Sequence, residues 1–379
     1  MIYYLICFSL SLFLFWFGQK IRHGQCEPFR WLVYGIALLI PAALAGLRDL
    51  SIGTDVLHYA YPIFKEASVV PHIEGFSTRY DGWIGTGYLW LNFIICHITQ
   101  DFNIMLFLLM FIEIIFVFLT IYQWRDKFPI WLGMLVFYAF FFNLSFNAIR
   151  QCFALSIAFF GVKYIFERKF LFFAFWIFLG YLFHSSVLVV LVYYPLFWYA
   201  SKFTSKKSTF LLSALFLLLI IFSNQIFINL LYLLSNIVII PNAEAIANYV
   251  AYVEKDGSGY KNFIYFGVLS MLFLYMRKTI IAHFQNVWHF LEITTMIAVI
   301  AQLTTFVAGE HSQRFIIITN WWLFLLIPII FYSLSKIFPR IIVNLAVICY
   351  CMFYWFYIFI YLGFHQTRDY SSSILSSIF

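Results

Sequence analysis

Apolar runs long enough to cross a lipid bilayer follow one another along this chain, at 2–17, 30–47, 102–122, 128–144, 150–166, 170–183, 185–200, 209–239, 262–277, 288–308, 315–334 and 341–362. A membrane-spanning helix takes about 20 mostly apolar residues. Inside the hydrocarbon no water satisfies backbone N–H and C=O groups, so each run must close its own hydrogen bonds as an α-helix. Only 10% of the residues are charged, against about 25% in a soluble protein, which excludes a soluble fold. The 50 Phe, 26 Tyr and 12 Trp suit lipid-facing surface and helix ends anchored at the interface. The expectation is an all-α integral membrane protein with about 12 transmembrane helices. No repeat, low-complexity tract or long polar linker divides it, so 1–379 is read as a single polytopic domain.

Orientation comes from the basic residues between the runs. Lys20/Arg22, Arg125/Lys127, Arg168/Lys169, Lys202/Lys206/Lys207, Arg277/Lys278 and Lys336/Arg340 all belong in cytoplasmic loops by the positive-inside rule. A weaker run, 83–98, is interrupted by Gly85, Gly87, Asn92 and His97. If it crossed, every later basic loop would fall outside, so it is read as a half-inserted helix. Both termini, and the loops 48–101, 145–149, 240–261 and 309–314, then lie on the outer face together with the turn at His184. The segment Phe170 to Ala200 must cross twice in 31 residues, which leaves each leg about 23 Å against a core of about 30 Å. Its tip, Phe183-His184-Ser185-Ser186, is expected below the outer surface.

The net charge of +7 is scattered in singles and pairs rather than gathered into a stripe, so no nucleic-acid partner is indicated. Cys7, Cys26, Cys96, Cys152, Cys349 and Cys351 form neither a metal spacing nor a disulfide framework. Met1 to Phe17 lacks a basic lead and a small-residue cleavage site, and reads as a retained first helix. There is no Gly-x-x-x-x-Gly-Lys loop and no His-Glu-x-x-His, which argues against a nucleotide-driven motor and a zinc protease. No cofactor and no metal are expected.

Four polar constellations interrupt the apolar pattern on the expected outer face. In Arg48-Asp49-Leu50-Ser51-Ile52-Gly53-Thr54-Asp55-Val56-Leu57-His58-Tyr59, Gly53 permits a turn and Thr54 or Asp55 suits a helix cap. Arg48 there is either a snorkelling interfacial residue or part of a site. Arg150 and Gln151 open an otherwise apolar helix, where an Arg needs an anion, a carbonyl or water. A guanidinium also matches phosphate, since its planar fork donates two parallel hydrogen bonds. His184 is a satisfied structural group or a proton-exchanging one. Glu310-His311-Ser312-Gln313-Arg314 joins two apolar helices, with Glu310 and Arg314 spaced for a surface salt bridge. Three Arg and a His on one face, without matching carboxylates, also make an anion-binding cavity.

Taken in order, Arg-x-x-x-x-Gly-Thr-Asp-x-x-x-Tyr (Arg48 to Tyr59), Ile149-Arg150-Gln151 before an Ala-containing apolar helix, Phe183-His184-Ser185-Ser186 and the late Arg314-Phe315 resemble the EpsG-like, Wzy-type polysaccharide polymerases over about residues 30 to 335. The resemblance implies a bacterial inner-membrane glycosyltransferase of GT-C-like architecture with periplasmic loops. It would join oligosaccharide repeat units carried on undecaprenyl diphosphate at the periplasmic face, as in O-antigen and lipopolysaccharide biosynthesis. Its implied partners are that lipid-linked oligosaccharide, membrane lipids and a chain-length regulator. Under this reading Arg150 and Arg314 meet the diphosphate, with Arg48 supporting them or holding Asp55. His184 takes the acceptor proton, with Asp55 next in line. Gln151, Glu310 and His311 join the substrate-binding set, and Tyr59, Tyr249 and Tyr252 stack on sugar rings. An O-antigen ligase shares the donor but carries a very large late outer loop, whereas 240–261 is short. A flippase or other transporter is expected to show internal repeats or paired broken helices.

Overall fold

The computed structural model describes residues 1–21, 26–80, 82–202, 259–284, 287–302 and 316–378, and every regular element among them is helical. In chain order these are α1 (Ile2–Lys20), α2 (Glu27–Gly46), α3 (Tyr61–Val69), α4 (Ile73–Arg79), α5 (Thr86–Ile98), α6 (Phe102–Tyr122), α7 (Ile130–Phe137), α8 (Ile149–Phe160), α9 (Lys163–Phe166), α10 (Phe170–Tyr181) and α11 (Tyr193–Lys202). Further helices occupy Gly259–Tyr275, Arg277–His283, Trp288–Ala301, Leu323–Leu334, Arg340–Trp355 and Ser373–Ile378.

Among the described residues six helices are long and apolar enough to cross a membrane: α1, α2, α6, Ile149–Phe166, Ile316–Leu334 and Arg340–Tyr361. A seventh is added if Ile264–Tyr275 and Arg277–His283, bent by 67° at their junction, form one span. Shorter apolar helices lie at Thr86–Ile98, Ile130–Phe142, Phe170–Tyr181 and Trp288–Ala301. The protein is thus a multi-pass helical membrane protein, and the expected run at 209–239 lies outside the described residues. Helix α1 illustrates why such helices form. Tyr4, Phe8, Ser11, Phe15 and Gly18 are buried at alternating spacings of four and three, while Ile2, Ile6, Leu10, Phe13 and Phe17 present the opposite, exposed stripe to lipid. The one polar member of the buried stripe is satisfied, since the Ser11 hydroxyl donates to Ala37 O at 2.7 Å.

The chain forms two compact units, Met1–Leu191 with Ile327–Phe379, and Val192–Leu326. In the first unit the helix ends sort into two groups. At one end the Tyr4 hydroxyl donates to Thr367 O at 2.9 Å, the Tyr370 hydroxyl to Leu44 O at 2.8 Å, and Trp355 Nε1 to Asn143 Oδ1 at 2.8 Å. At the other, Ile130 N donates to Gln19 Oε1 at 2.9 Å beside Lys20. A folded cap covers the first end: α3, α4 and α5 share a core with α6 and α8 built from Val56, Ile63, Phe64, Phe76, Tyr88, Phe102, Met105, Ile149 and Phe153. With 13 residues α5 is about 20 Å long, well short of the hydrocarbon thickness.

The second unit holds an aromatic core in which Trp322 lies 5.0 Å from Tyr193 and 5.3 Å from Phe290, ring centre to ring centre. Beside it the buried Glu292 accepts at 3.0 Å from His289 Nδ1 and faces Arg277 Nε at 3.7 Å, so a carboxylate within apolar helices is matched by a guanidinium and an imidazole.

Candidate functional site

The site begins with a turn that only glycine can make. Gly53 has φ +91°, and a Cβ there would sit 2.2 Å from Phe146 O. The turn therefore presses directly on the backbone that leads into α8. Thr54 and Asp55 then start a helix that widens into a π turn at Val56–Ala60 before narrowing into α3. Such a widened turn re-aims side chains and recurs at functional sites. Here it brings Tyr59 under Arg150, whose guanidinium carbon stands 4.7 Å from the ring centre.

Arg150 lies in the first turn of α8 and is half-buried. Its Nη1 donates to Trp83 O over a long 3.4 Å, and its Nε is buried with no hydrogen-bond partner among the described residues. Asp55 and Arg150 both lie close enough to act electrostatically on the Tyr59 hydroxyl, which burial above all holds well above its ordinary pKa. A carboxylate and a guanidinium thus both act on one phenol, placed there by the Gly53 turn and the start of α8.

His184 joins through the Gly82–Gly87 stretch. A Cβ on Gly85 would lie 2.4 Å from Leu182 O, and Gly87 N donates to that oxygen at 2.8 Å. Phe183 packs on Phe153 of α8 at 4.7 Å, so the tip after α10 is fixed against the helix that carries Arg150. The Ser186 amide donates to His184 Nδ1 at 3.2 Å, with the Ser186 hydroxyl 2.8 Å from the same nitrogen. With Nδ1 accepting, the ring hydrogen resides on Nε2.

Other expected site residues fall elsewhere. Arg48 is only 2% exposed: Nη1 donates to Ala45 O at 3.0 Å, and the guanidinium lies 4.0 Å over the Phe146 ring. Burial lowers its pKa to about 10, so it remains a cation at neutral pH, with Tyr4, Tyr370 and Glu113 near enough to act on it electrostatically. Glu113 is itself held by the Ser145 hydroxyl at 2.5 Å. Arg48 therefore braces the junction of α2, α6 and Phe146. Gln151 is buried, and Tyr59 is 7% exposed beneath Arg150, which leaves its ring faces covered. Tyr249, Glu310, His311 and Arg314, with Tyr252, lie outside the described residues.

An exposed aromatic at this end is Trp83, 61% accessible and stacked on Tyr80 at 5.8 Å with 25° between the rings. None of the four polar constellations includes it; the signal that marks it is an aromatic flanked by Gly82 and Gly85 in a weak apolar run. Tyr80 is held in turn by Glu66, which accepts from both the Tyr80 hydroxyl and Arg79 and so ties α4 back to α3. The Tyr80 bond, then the Arg79 bond and charge, keep the Glu66 pKa below its ordinary 4.5. A carboxylate whose folded pKa is depressed stabilises the fold above its unfolded pKa and loses that contribution as pH falls through the folded value. Corrected for its intrinsic pH dependence, hydrogen exchange across Tyr61–Tyr80 is therefore expected to be unchanged between pH 8 and pH 6 and to accelerate below about pH 4.5. Acid acceleration that persists in Glu66→Gln would assign the effect to another group.

Among the described residues no three His, Cys, Asp or Glu side chains gather as a metal-holding group. Comparison with curated proteins and with solved structures gave no match. Comparison with protein families gave one for most of the chain: residues 31–372 match the EpsG family.

Proposed function

This chain therefore belongs to the EpsG family, and from that membership we propose that it is a polysaccharide polymerase, a membrane glycosyltransferase whose donor is a growing glycan on undecaprenyl diphosphate. The acceptor is a hydroxyl on the non-reducing sugar of a fresh lipid-linked repeat unit. The end of the first unit that carries Arg150 faces the periplasm across a bacterial inner membrane, with a chain-length regulator as partner. One observation carries the reading: a half-buried guanidinium held over Tyr59, with a buried donor nitrogen lacking a partner among the described residues.

In the reaction the acceptor oxygen bonds to the anomeric carbon, the bond from that carbon to the diphosphate oxygen breaks, and the electron pair leaves with the diphosphate. Preorganised cations aimed at that developing charge lower the barrier without reorganising during the step. Arg150 takes this role, with Arg314 from the late motif. The acceptor proton needs a base. The Ser186 amide on Nδ1 sets His184 to offer Nε2–H as a donor, which suits the leaving phosphate better than proton uptake. Asp55 is then the base, and this assignment reverses the order in which the sequence ranked the two.

The test uses the bacterium with its own copy deleted and glycan length read by gel electrophoresis. Deletion should leave glycans of one repeat unit. Asp55→Asn should match the deletion, while His184→Gln, whose amide still donates, should retain a shortened ladder. A full ladder in the deletion strain overturns the polymerase reading, and a full ladder from Asp55→Asn overturns its role as base.

A further inference from the structure

At the other end of the first unit, away from Arg150, lies a cavity of about 390 Å³ bounded by residues from the end of α1, the start of α7 and the two sides of the Lys336–Arg340 turn. We propose that it binds the phosphate headgroup of an anionic membrane lipid, a site separate from the polymerase chemistry and independent of that reading.

The volume falls in the range of small-molecule sites, about 300–1,000 Å³. Lys20 and Arg340 both line it, and neither takes part in an ion pair among the described residues. Arg340 is also the first residue of helix Arg340–Trp355, whose N-cap is Pro339 and which has no side-chain cap. The unpaired amides of that first turn add the positive end of a helix dipole to the two side chains. Asn344 supplies a neutral hydrogen-bonding group, while Phe331 and Val347 give the same cavity an apolar wall. A phosphate ester with an attached hydrocarbon chain matches both halves of that lining.

The surroundings favour a lipid over a soluble phosphate ester. Trp16, which lines the cavity, is 44% exposed, and its neighbours Phe13 and Phe17 belong to the lipid-facing stripe of α1. Ile341 and Ile342, next to Arg340, are 75% and 60% exposed. The cavity therefore adjoins surface that lipid covers, at a depth where Trp and basic side chains collect. Basic pockets between helices on the cytoplasmic side of a membrane bind lipid headgroups by this chemistry.

Native mass spectrometry of the purified full-length protein, titrated with phosphatidylglycerol, phosphatidylcholine and glycerol 3-phosphate, tests the proposal. Phosphatidylglycerol should bind about tenfold more tightly than phosphatidylcholine, and the Lys20→Gln/Arg340→Gln pair should remove that preference. Asn344→Trp should reduce phosphatidylglycerol binding by filling space while leaving both cations, which keeps the test decisive if the double variant fails to fold. Arg125→Gln/Arg168→Gln, removing two cations that do not line the cavity, should bind as the parent does. Equal binding of phosphatidylglycerol by parent and cavity variants, or an equal loss in the Arg125/Arg168 control, would overturn the site. Glycerol 3-phosphate competing as well as the lipid would overturn its assignment to a lipid.

Discussion

Replacing Arg150 by Ala is expected to lower chain extension by about 10²–10³, the usual cost of removing one preorganised donor from a developing oxyanion. The product should collapse to single repeat units with the protein still present in the membrane at parental level. The reason is positional. Arg150 sits over Tyr59 with a long backbone hydrogen bond to Trp83 O, so its charge is held in place at the start of α8. Arg150→Lys should recover little, because an ammonium lacks the planar fork that meets two phosphate oxygens at once. Arg48→Ala should behave differently. That side chain packs against Phe146 and Ala45 in the interior, and its removal leaves a cavity beside the Phe146 ring and takes a donor from the Ala45 carbonyl. The expected outcome there is reduced protein level and thermal stability. A normal glycan ladder from Arg150→Ala would remove this residue from the chemistry.

The second large effect is expected from a single methyl group. Gly53→Ala forces an L side chain into the left-handed region, at a cost of about 1–2 kcal/mol. It also drives the new carbon to within 2.2 Å of Phe146 O. Neither atom can stay, so the turn carrying Thr54 and Asp55 must back away from the start of α8. A displacement of about 1 Å between reacting groups can cost about 10²-fold in rate. Polymer should therefore shorten sharply while the transmembrane helices, which do not depend on this turn, keep their helical signal by circular dichroism. Gly35→Ala is the matching control. A Cβ there meets nothing within 4 Å, and the position is helical, so activity should be unchanged. Parental glycan length from Gly53→Ala would show that the turn does not position Asp55.

The sequence made the membrane character and most helix positions plain, because the apolar runs are long and charges inside them are rare. Helix α6 was legible almost residue by residue, its one carboxylate being Glu113. What the pattern could not separate was two arginines with similar surroundings in the chain. Arg48 and Arg150 each follow or open an apolar helix. Their difference lies in Phe146, whose ring covers the Arg48 guanidinium only once the chain has folded and which no local window reveals. The same limit explains the aromatics. Tyr59 stood inside a recognisable motif and drew the sugar-stacking role, yet the π turn at Val56–Ala60 tucks it beneath a guanidinium and leaves Trp83 outside. Burial of that kind follows from long-range packing. The division into two compact units was equally invisible, since no polar linker marks it.

The hydrogen bonds near residue 370 carry a consequence for how the protein is made. The Tyr370 hydroxyl reaches Leu44 O, the Ser372 hydroxyl reaches Leu47 O at 2.6 Å, and Ser373 N reaches Asp49 Oδ1 at 2.8 Å, spanning separations of more than 320 positions. The segment that introduces Asp55 is thus clasped by residues that leave the ribosome some 320 positions later. Its loop must wait, threaded and unfastened, while nearly all the remaining helices are inserted. A nascent chain lacking those late residues would carry every motif of the site while the segment that leads to Asp55 stays unclasped.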